Sequence, residues 1–78
     1  MVNVIVVDDD ADTVKVFTEY LEIKGINVVG TGHDGKEAVD LFKKLRPDIV
    51  ILDMLMPEYD GSYAIAQIKK EDPNAKII

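Results

Sequence analysis

The chain is short, acidic and free of cysteine. It has 78 residues, of which 47% are hydrophobic and 31% charged, a composition typical of one globular domain and not of a disordered segment. Without cysteine, neither a disulfide framework nor a thiolate zinc site can stabilise so small a fold. The net charge of −6 repels nucleic-acid phosphates and favours cations, so we expect no direct binding to DNA or RNA.

No segment has the pattern of a targeting or membrane-spanning sequence. The stretch from Met1 to Val7 is apolar, but it lacks the basic residues and the small-residue cleavage site of a signal peptide. No apolar run approaches the roughly 20 residues that a membrane-spanning helix needs. We therefore expect a cytoplasmic protein that does not insert into a membrane.

The first third of the chain predicts a strand followed by a helix. Val4 to Val7 is a β-branched run that is apolar on both faces, as is typical of a strand covered on each side. Asp10 can cap the helix that follows, and Gly25 is positioned as its stop. The apolar positions of this helix recur at helical spacing: Val14, Phe17, Tyr20 and Leu21.

A second strand and a second helix follow. Ile26 to Val29 predicts a short strand, with Gly30 and Gly32 placed after it. Asp34 and Glu37 have the spacing of a capping box, which predicts the start of the second helix.

The last third predicts a buried strand, a loop and a third helix. Pro47 prevents the second helix from continuing, and Ile49 to Leu52 predicts a strand that is apolar throughout. Residues Met54 to Gly61 predict a loop, and the third helix closes near Lys69 and Lys70. Lys76 to Ile78 then has the pattern of the start of a fourth strand.

Strand and helix alternate with brief connections, which predicts an α/β fold with a parallel sheet and helices on both faces. If strands one and three are neighbours, Asp8 and Asp9 at the end of one lie beside Asp53 at the end of the other. Three carboxylates would repel one another without a cation, and magnesium accepts such oxygen ligands. A carboxylate can also attack phosphorus and form an acyl phosphate. The pattern therefore predicts a metal site and aspartyl phosphorylation.

The residues of this site resemble those of the receiver domains of two-component response regulators, of the chemotaxis-regulator type. The resemblance covers the whole chain and rests on three stretches: Val6-Val7-Asp8-Asp9, Ile51-Leu52-Asp53-Met54-Leu55-Met56-Pro57 and Asp60-Gly61. It implies an open parallel sheet of flavodoxin-like type, with strand order 2-1-3 and the start of strand four. It also implies that Asp53 accepts a phosphoryl group from a sensor histidine kinase or a phosphotransfer protein.

The same resemblance implies roles for the residues around Asp53. Asp8 and Asp9 would bind Mg²⁺ (or Mn²⁺) directly or through water, together with Asp53 and the backbone carbonyl of Leu55. Pro57 and Gly61 would shape the loop beside the site. The chain would at most catalyse its own phosphorylation and dephosphorylation, and it would not turn over as an enzyme.

The family's domain has five strand–helix units, so residues 1–78 correspond to a partial receiver domain of three units plus the start of a fourth strand. The family's Ser or Thr at the end of strand four and its Lys at the end of strand five have no counterpart here. Both groups contact the phosphoryl oxygens, and their loss removes electrostatic stabilisation of the transfer. We therefore expect phosphotransfer to be impaired and metal binding to survive better.

The consecutive acids Asp8, Asp9 and Asp10 can also be interpreted as helix-capping or solvated residues. Capping alone accounts for Asp10, whereas the aspartate that ends strand three gives independent support to a metal site at the other two. The acidic spacing from Asp8 to Glu19 also imitates an EF-hand calcium loop. Thr13 stands where that loop needs glycine, and a strand precedes it instead of a helix.

A second hypothesis is a self-associating structural fragment with no signalling activity. With strand one central, strand three, Ile49 to Leu52, would have an unpaired and strongly apolar edge. A two-fold pairing of two copies through that edge would restore a larger sheet. This hypothesis predicts a homodimer, in which the third helix or the Ile77–Ile78 segment can be exchanged between copies.

Overall fold

The computed structural model describes residues 1–53 and 61–78. Strands and helices alternate along these ranges, as the sequence predicts. The elements are β1 (Asn3–Val7), α1 (Ala11–Ile23), β2 (Asn27–Gly32), α2 (Gly35–Leu45), β3 (Ile49–Leu52), α3 (Gly61–Glu71) and β4 (Lys76–Ile77). No helix within the described ranges is long and apolar enough to cross a membrane.

The four strands form one parallel sheet in the order β2-β1-β3-β4. This confirms the predicted α/β fold and the placement of strand one between strands two and three. The connection from β1 leads to β2 on one side, and the connection from β2 returns to β3 on the other side. A crevice is therefore expected at the carboxyl ends of β1 and β3, where the connections leave in opposite directions.

The prediction that β3 has an unpaired edge is wrong. Ile49 pairs with Lys76 and Val50 pairs with Ile77, so β4 lies along the outer side of β3. The N–H of Leu52 also donates to the carbonyl of Ile78 at 3.0 Å. The N–H of Ile78 donates to the carbonyl of Val50 at 2.8 Å, so a strand of only two residues, extended by two further hydrogen bonds, pairs with the edge of β3. The outer edge on this side of the sheet therefore belongs to β4.

The core has two parts, one on each face of the sheet. Because side chains alternate along a strand, β1 contributes to both parts and is buried throughout. The face toward α2 and α3 contains Ile5, Val7, Val50 and Leu52. The face toward α1 contains Val4, Val6, Ile49 and Ile51. The continuous apolar run of β1 is explained by this burial on both sides.

The second strand extends further than predicted, because Gly30 and Gly32 are part of β2. Val4 pairs with Val28 and Ile5 pairs with Gly30, so Val29 is an extra residue in β2 and forms a bulge. Val29 packs against the core on the α2 face of the sheet, and Gly30 lies on the same face. The bulge therefore places two successive residues of β2 on the same face.

The two glycines of β2 allow α2 to approach closely. A Cβ on Gly30 would lie 2.9 Å from Cδ1 of Leu45 and 3.2 Å from Cδ2 of Leu41. A Cβ on Gly32 would lie 3.0 Å from Cβ of Glu37. Glycine, which usually weakens a strand, is tolerated in β2 because a helix packs directly on its backbone.

The predicted amino-terminal helix caps are confirmed. The Asp10 side chain accepts a hydrogen bond from the N–H of Asp12 at 3.1 Å, and the Asp34 side chain accepts one from the N–H of Glu37 at 2.8 Å. After α1, Gly25 adopts a φ of +83°, the left-handed conformation that glycine commonly supplies at a helix end. These local signals set where α1 and α2 begin, and thereby how the loops after β1 and β2 are held.

Candidate functional site

Three carboxylates converge at the carboxyl ends of β1 and β3. Asp8 directly follows β1, and Asp53 directly follows β3. The two strand ends are joined, because the N–H of Asp53 donates to the carbonyl of Val7 at 2.9 Å. One ligand atom from each of Asp8, Asp9 and Asp53 lies within 4.8 Å of the others. The structure thus brings together the carboxylates that the sequence predicted at this edge, while their chemical roles stay a prediction.

Asp8 is held from two directions. Its N–H donates to the carbonyl of Gly32 at 3.2 Å, which ties it to the end of β2. Its Oδ1 accepts a hydrogen bond from the N–H of Asp10 at 2.9 Å, which ties it to the start of α1. Asp8 and Asp53 are half-buried, whereas Asp9 is exposed. The site is therefore open to solvent, with two half-buried carboxylates and one exposed one.

The electrostatics of the site favour a bound cation. The pKa of Asp9 is raised above its ordinary value, first by partial loss of hydration, then by a hydrogen bond with Asp8 and by the negative charge of Asp53. A raised pKa shows that the anionic form of Asp9 is disfavoured by its neighbours. Among the described residues, the cluster offers carboxylate oxygens, and this donor set suits Mg²⁺ or Mn²⁺ better than a metal that prefers nitrogen or sulfur.

Asp10 lies next to the cluster but is used differently. Its Oδ1 accepts from the N–H of Asp12 at 3.1 Å, and its Oδ2 accepts from Oγ1 of Thr13 at 2.9 Å. These bonds, that of the Thr13 hydroxyl first, lower the pKa of Asp10 below its ordinary value. Both carboxylate oxygens are thus engaged at the start of α1, in agreement with the interpretation of Asp10 as a cap.

The remaining residues predicted for the site are placed as follows. Leu55, expected to offer its backbone carbonyl to the cation, and Pro57, expected to shape the loop, lie outside the described residues. Gly61, expected in the same loop, is instead the buried first residue of α3. A glycine at this position presents no side chain at the point where the helix begins. Its influence on the loop stays a prediction.

Sequence reasoning did not identify two residues that support the site. Gly32 provides the carbonyl that binds the N–H of Asp8, and Thr13 provides the hydroxyl that binds Asp10. The spacing of Asp10 and Thr13, three residues apart at a helix start, was a signal that could have identified the second of these. The first depends on the pairing of β1 with β2, which local sequence does not encode.

The model of the response regulator receiver domain family matches residues 4–78. A curated relative, the chemotaxis protein CheY of Thermotoga maritima, is 45% identical over 76 residues, which cover 97% of this chain and 63% of the relative.

Two solved structures are also similar. One is the CheX-CheY-BeF3-Mg²⁺ complex from Borrelia burgdorferi, with a TM-score of 0.93 and 40% identity over 97% of this chain and 58% of that one. The other is the response regulator domain of Thermotoga maritima CheB, with a TM-score of 0.92 and 33% identity over 99% of this chain and 57% of that one. The chain thus spans less than two thirds of the length of each of these proteins.

Proposed function

Because this chain belongs to the response regulator receiver domain family, we propose that it is a phosphoacceptor module of a two-component phosphorelay, with Asp53 as the acceptor. The observation that carries this proposal is the convergence of Asp8, Asp9 and Asp53 within 4.8 Å at the ends of neighbouring parallel strands. Since the relatives are longer, we propose that residues 1–78 are the amino-terminal part of a receiver domain, with three strand–helix units and the start of a fourth strand.

The proposed reaction is transfer of a phosphoryl group from a phosphohistidine of a sensor kinase or phosphotransfer protein. A carboxylate oxygen of Asp53 forms the new O–P bond while the N–P bond breaks, and the bonding electrons return to the imidazole nitrogen. The product is an acyl phosphate on Asp53. We propose no turnover beyond self-phosphorylation and self-dephosphorylation, and we place the activity in the cytoplasm, where ATP-dependent kinases act.

The chain's own residues hold the acceptor and the cation ligands in place. The hydrogen bond from Asp53 to Val7 fixes the acceptor against β1, and the bond from Asp8 to Gly32 fixes the first cation ligand against β2. Asp8 and Asp9, with Asp53, would bind Mg²⁺ (or Mn²⁺), which would neutralise negative charge on the transferring phosphoryl group.

Two further considerations concern the cation site of this proposal. The related complex from Borrelia burgdorferi is named as containing both BeF3 and Mg²⁺. From the family resemblance we add the backbone carbonyl of Leu55 as a further ligand, with Pro57 and Gly61 shaping the loop.

The test compares acceptor variants under one phosphodonor. With Mg²⁺ and acetyl phosphate, the native chain should gain one phosphoryl group by intact-mass spectrometry, and Asp53→Asn should gain none. Asp48→Asn is the matched control, because Asp48 lies directly before β3, at the opposite end of the strand from Asp53. This variant should be labelled like the native chain. Equal labelling of the native chain and Asp53→Asn would refute Asp53 as the acceptor.

A second experiment distinguishes cation binding from phosphoryl transfer. Beryllofluoride with Mg²⁺ should shift the NMR signals of Asp8, Asp9 and Asp53 in the native chain. Such shifts without labelling by acetyl phosphate would show a site that binds its cation and the phosphoryl mimic but has lost the transfer. No shifts and no labelling would refute the proposed function for this chain.

Homodimerisation is a second candidate function. Because β4 pairs with the edge of β3, we propose the face of the sheet beside α1 as the interface. It is favoured by a groove of about 370 Å³ on that face, lined by apolar residues of β1, β3 and α1, among them Phe17 and Ile51, and by the exposed Ile78, which follows β4. Light scattering at micromolar concentration decides, since a monomeric mass excludes a stable dimer.

A further inference from the structure

The start of α1 is connected directly to the carboxylate of Asp8. The connection has two steps: Oγ1 of Thr13 donates to Oδ2 of Asp10 at 2.9 Å, and the N–H of Asp10 donates to Oδ1 of Asp8 at 2.9 Å. A further bond, from the N–H of Asp12 to Oδ1 of Asp10 at 3.1 Å, completes the cap. One residue therefore caps the helix with its side chain and holds a site carboxylate with its backbone.

The backbone of Asp10 can hold Asp8 only while its conformation is fixed. Asp10 has a φ of −94° and a ψ of 109°, the extended conformation of a capping residue. Its two side-chain hydrogen bonds maintain this conformation, because they join residue 10 to the first turn of α1. Without them the N–H of residue 10 would be free to turn away from Asp8, although the N–H itself would remain.

The hydrogen bond restricts the rotation of the Asp8 carboxylate. Oδ1 is occupied by the N–H of Asp10, and Oδ2 lies outside that bond. A carboxylate held in one orientation loses less conformational entropy when it binds a cation than a freely rotating one does. Groups that orient metal ligands in this way commonly change metal affinity when they are removed.

We propose that Asp10 and Thr13 are positioning residues for Asp8, so that the cap of α1 sets the affinity of the site for its divalent cation. This inference rests on the proposed function, because it concerns the same cation site. Neither residue touches the cation: Asp10 acts through its backbone N–H, and Thr13 acts through Asp10.

The chain offers a matched control at its second helix. Asp34 caps α2 in the same manner, since its Oδ1 accepts from the N–H of Glu37 at 2.8 Å. Among the described contacts, no hydrogen bond joins Asp34 to the three carboxylates. Loss of this cap should therefore lower the stability of the fold without loosening Asp8.

The experiment measures the dissociation constant of Mg²⁺ by NMR titration of the 78-residue chain, with thermal unfolding as a parallel reading. We expect Asp10→Ala to weaken Mg²⁺ binding by about tenfold, the lower end of the range for groups that orient metal ligands. Thr13→Val should weaken it by about threefold and Thr13→Ser should restore it, because serine retains the hydroxyl. Asp34→Ala should change it by less than about twofold, despite a comparable loss of thermal stability.

Asp10→Asn separates positioning from charge. Asparagine carries no charge, but its Oδ1 can accept from the N–H of Asp12 and its Nδ2 can donate to the Thr13 hydroxyl, which reverses the direction of the present bond. Both links to α1 are then kept, so binding should stay within about twofold of the native chain. Weakening by Asp10→Asn equal to that by Asp10→Ala would assign the effect to charge and overturn the proposal. Unchanged affinity in Asp10→Ala, with native binding intact, would overturn this inference alone. If the native chain binds no Mg²⁺, the proposed function fails and this inference fails with it.

Discussion

Replacing Gly32 with alanine should weaken both the fold and the candidate site, because this glycine is where α2 meets the end of β2. The added Cβ would lie 3.0 Å from Cβ of Glu37 and 3.3 Å from Cδ1 of Leu41. Cβ of Glu37 is fixed to the backbone of α2 and cannot move by a side-chain rotation. The helix or the strand must therefore shift by roughly 0.5–1 Å to reach ordinary contact distance.

The expected magnitude follows from two opposing effects. Overpacking of this kind costs about 1–3 kcal/mol, and the restriction of the unfolded chain by alanine returns about 0.4–1 kcal/mol. The net loss should be about 1–2 kcal/mol. For a domain of this size, that corresponds to a fall of about 4–16 °C in the unfolding midpoint. Since the carbonyl of Gly32 accepts the hydrogen bond from Asp8, Mg²⁺ affinity should fall as well.

Gly30→Ala is the matched control for this prediction. Its Cβ would meet the ends of two leucine side chains, Cδ1 of Leu45 at 2.9 Å and Cδ2 of Leu41 at 3.2 Å. Leu45 is 37% exposed and can rotate away, so the unfolding midpoint should change by less than about 4 °C. Thermal unfolding followed by circular dichroism measures both variants. If Gly32→Ala is as stable as the native chain, or less damaging than Gly30→Ala, the reasoning from backbone contact is refuted.

Two further predictions concern the charges of the site. Partial loss of hydration, then a hydrogen bond with Asp8 and the charge of Asp53, raise the pKa of Asp9 above its ordinary value. Mg²⁺ affinity should therefore fall as the pH drops toward that raised pKa, and binding should release protons. Calorimetry in buffers of different ionisation heat measures this release, and Asp9→Asn should abolish the contribution of Asp9 to it. Because the pKa of Asp9 is higher in the folded state than its ordinary value of 3.8, protonation of Asp9 stabilises the metal-free fold. This stabilisation is fully present below pH 3.8 and is lost as the pH rises through the pKa of the folded state. Asp53→Asn should raise the metal-free unfolding midpoint by about 2–4 °C, because it removes one of three mutually repelling charges. Asp40→Asn, which removes an exposed charge from α2, should leave it nearly unchanged, and an equal rise in both variants would contradict the local explanation.

The order of the elements and the place of the site could be predicted because both depend on local signals. The apolar run of β1, the cap at Asp10 and the stop at Gly25 each act within a few residues. Alternation of strands and helices then restricts the topology to a parallel sheet with right-handed connections. Once β1 and β3 are neighbours, Asp8 and Asp53 must lie at the same edge.

Features that depend on contacts between distant segments could not be predicted in the same way. Gly30 and Gly32 looked like the end of a strand, because glycine is unfavourable in strands unless another element packs closely on them. The edge of β3 is predicted to be free when the fourth strand is counted as missing, whereas residues 76–78 pair with it. In both cases the contact, of β2 with α2 or of β3 with β4, joins segments that are distant in sequence, so a local sequence pattern does not predict it.

The bulge at Val29 determines where the length of β2 can change. Val28 faces α1 and Gly30 faces α2, so the two would alternate normally if they were adjacent. Deletion of Val29 would therefore leave the paired residues on both sides in register, at the cost of one packed side chain. Deletion of Thr31 would instead make Gly30 and Gly32 adjacent, so one of them would lose its present partner on β1 and turn to the opposite face. Insertions and deletions among homologous chains should accordingly be tolerated at the bulge and excluded from the three residues that follow it.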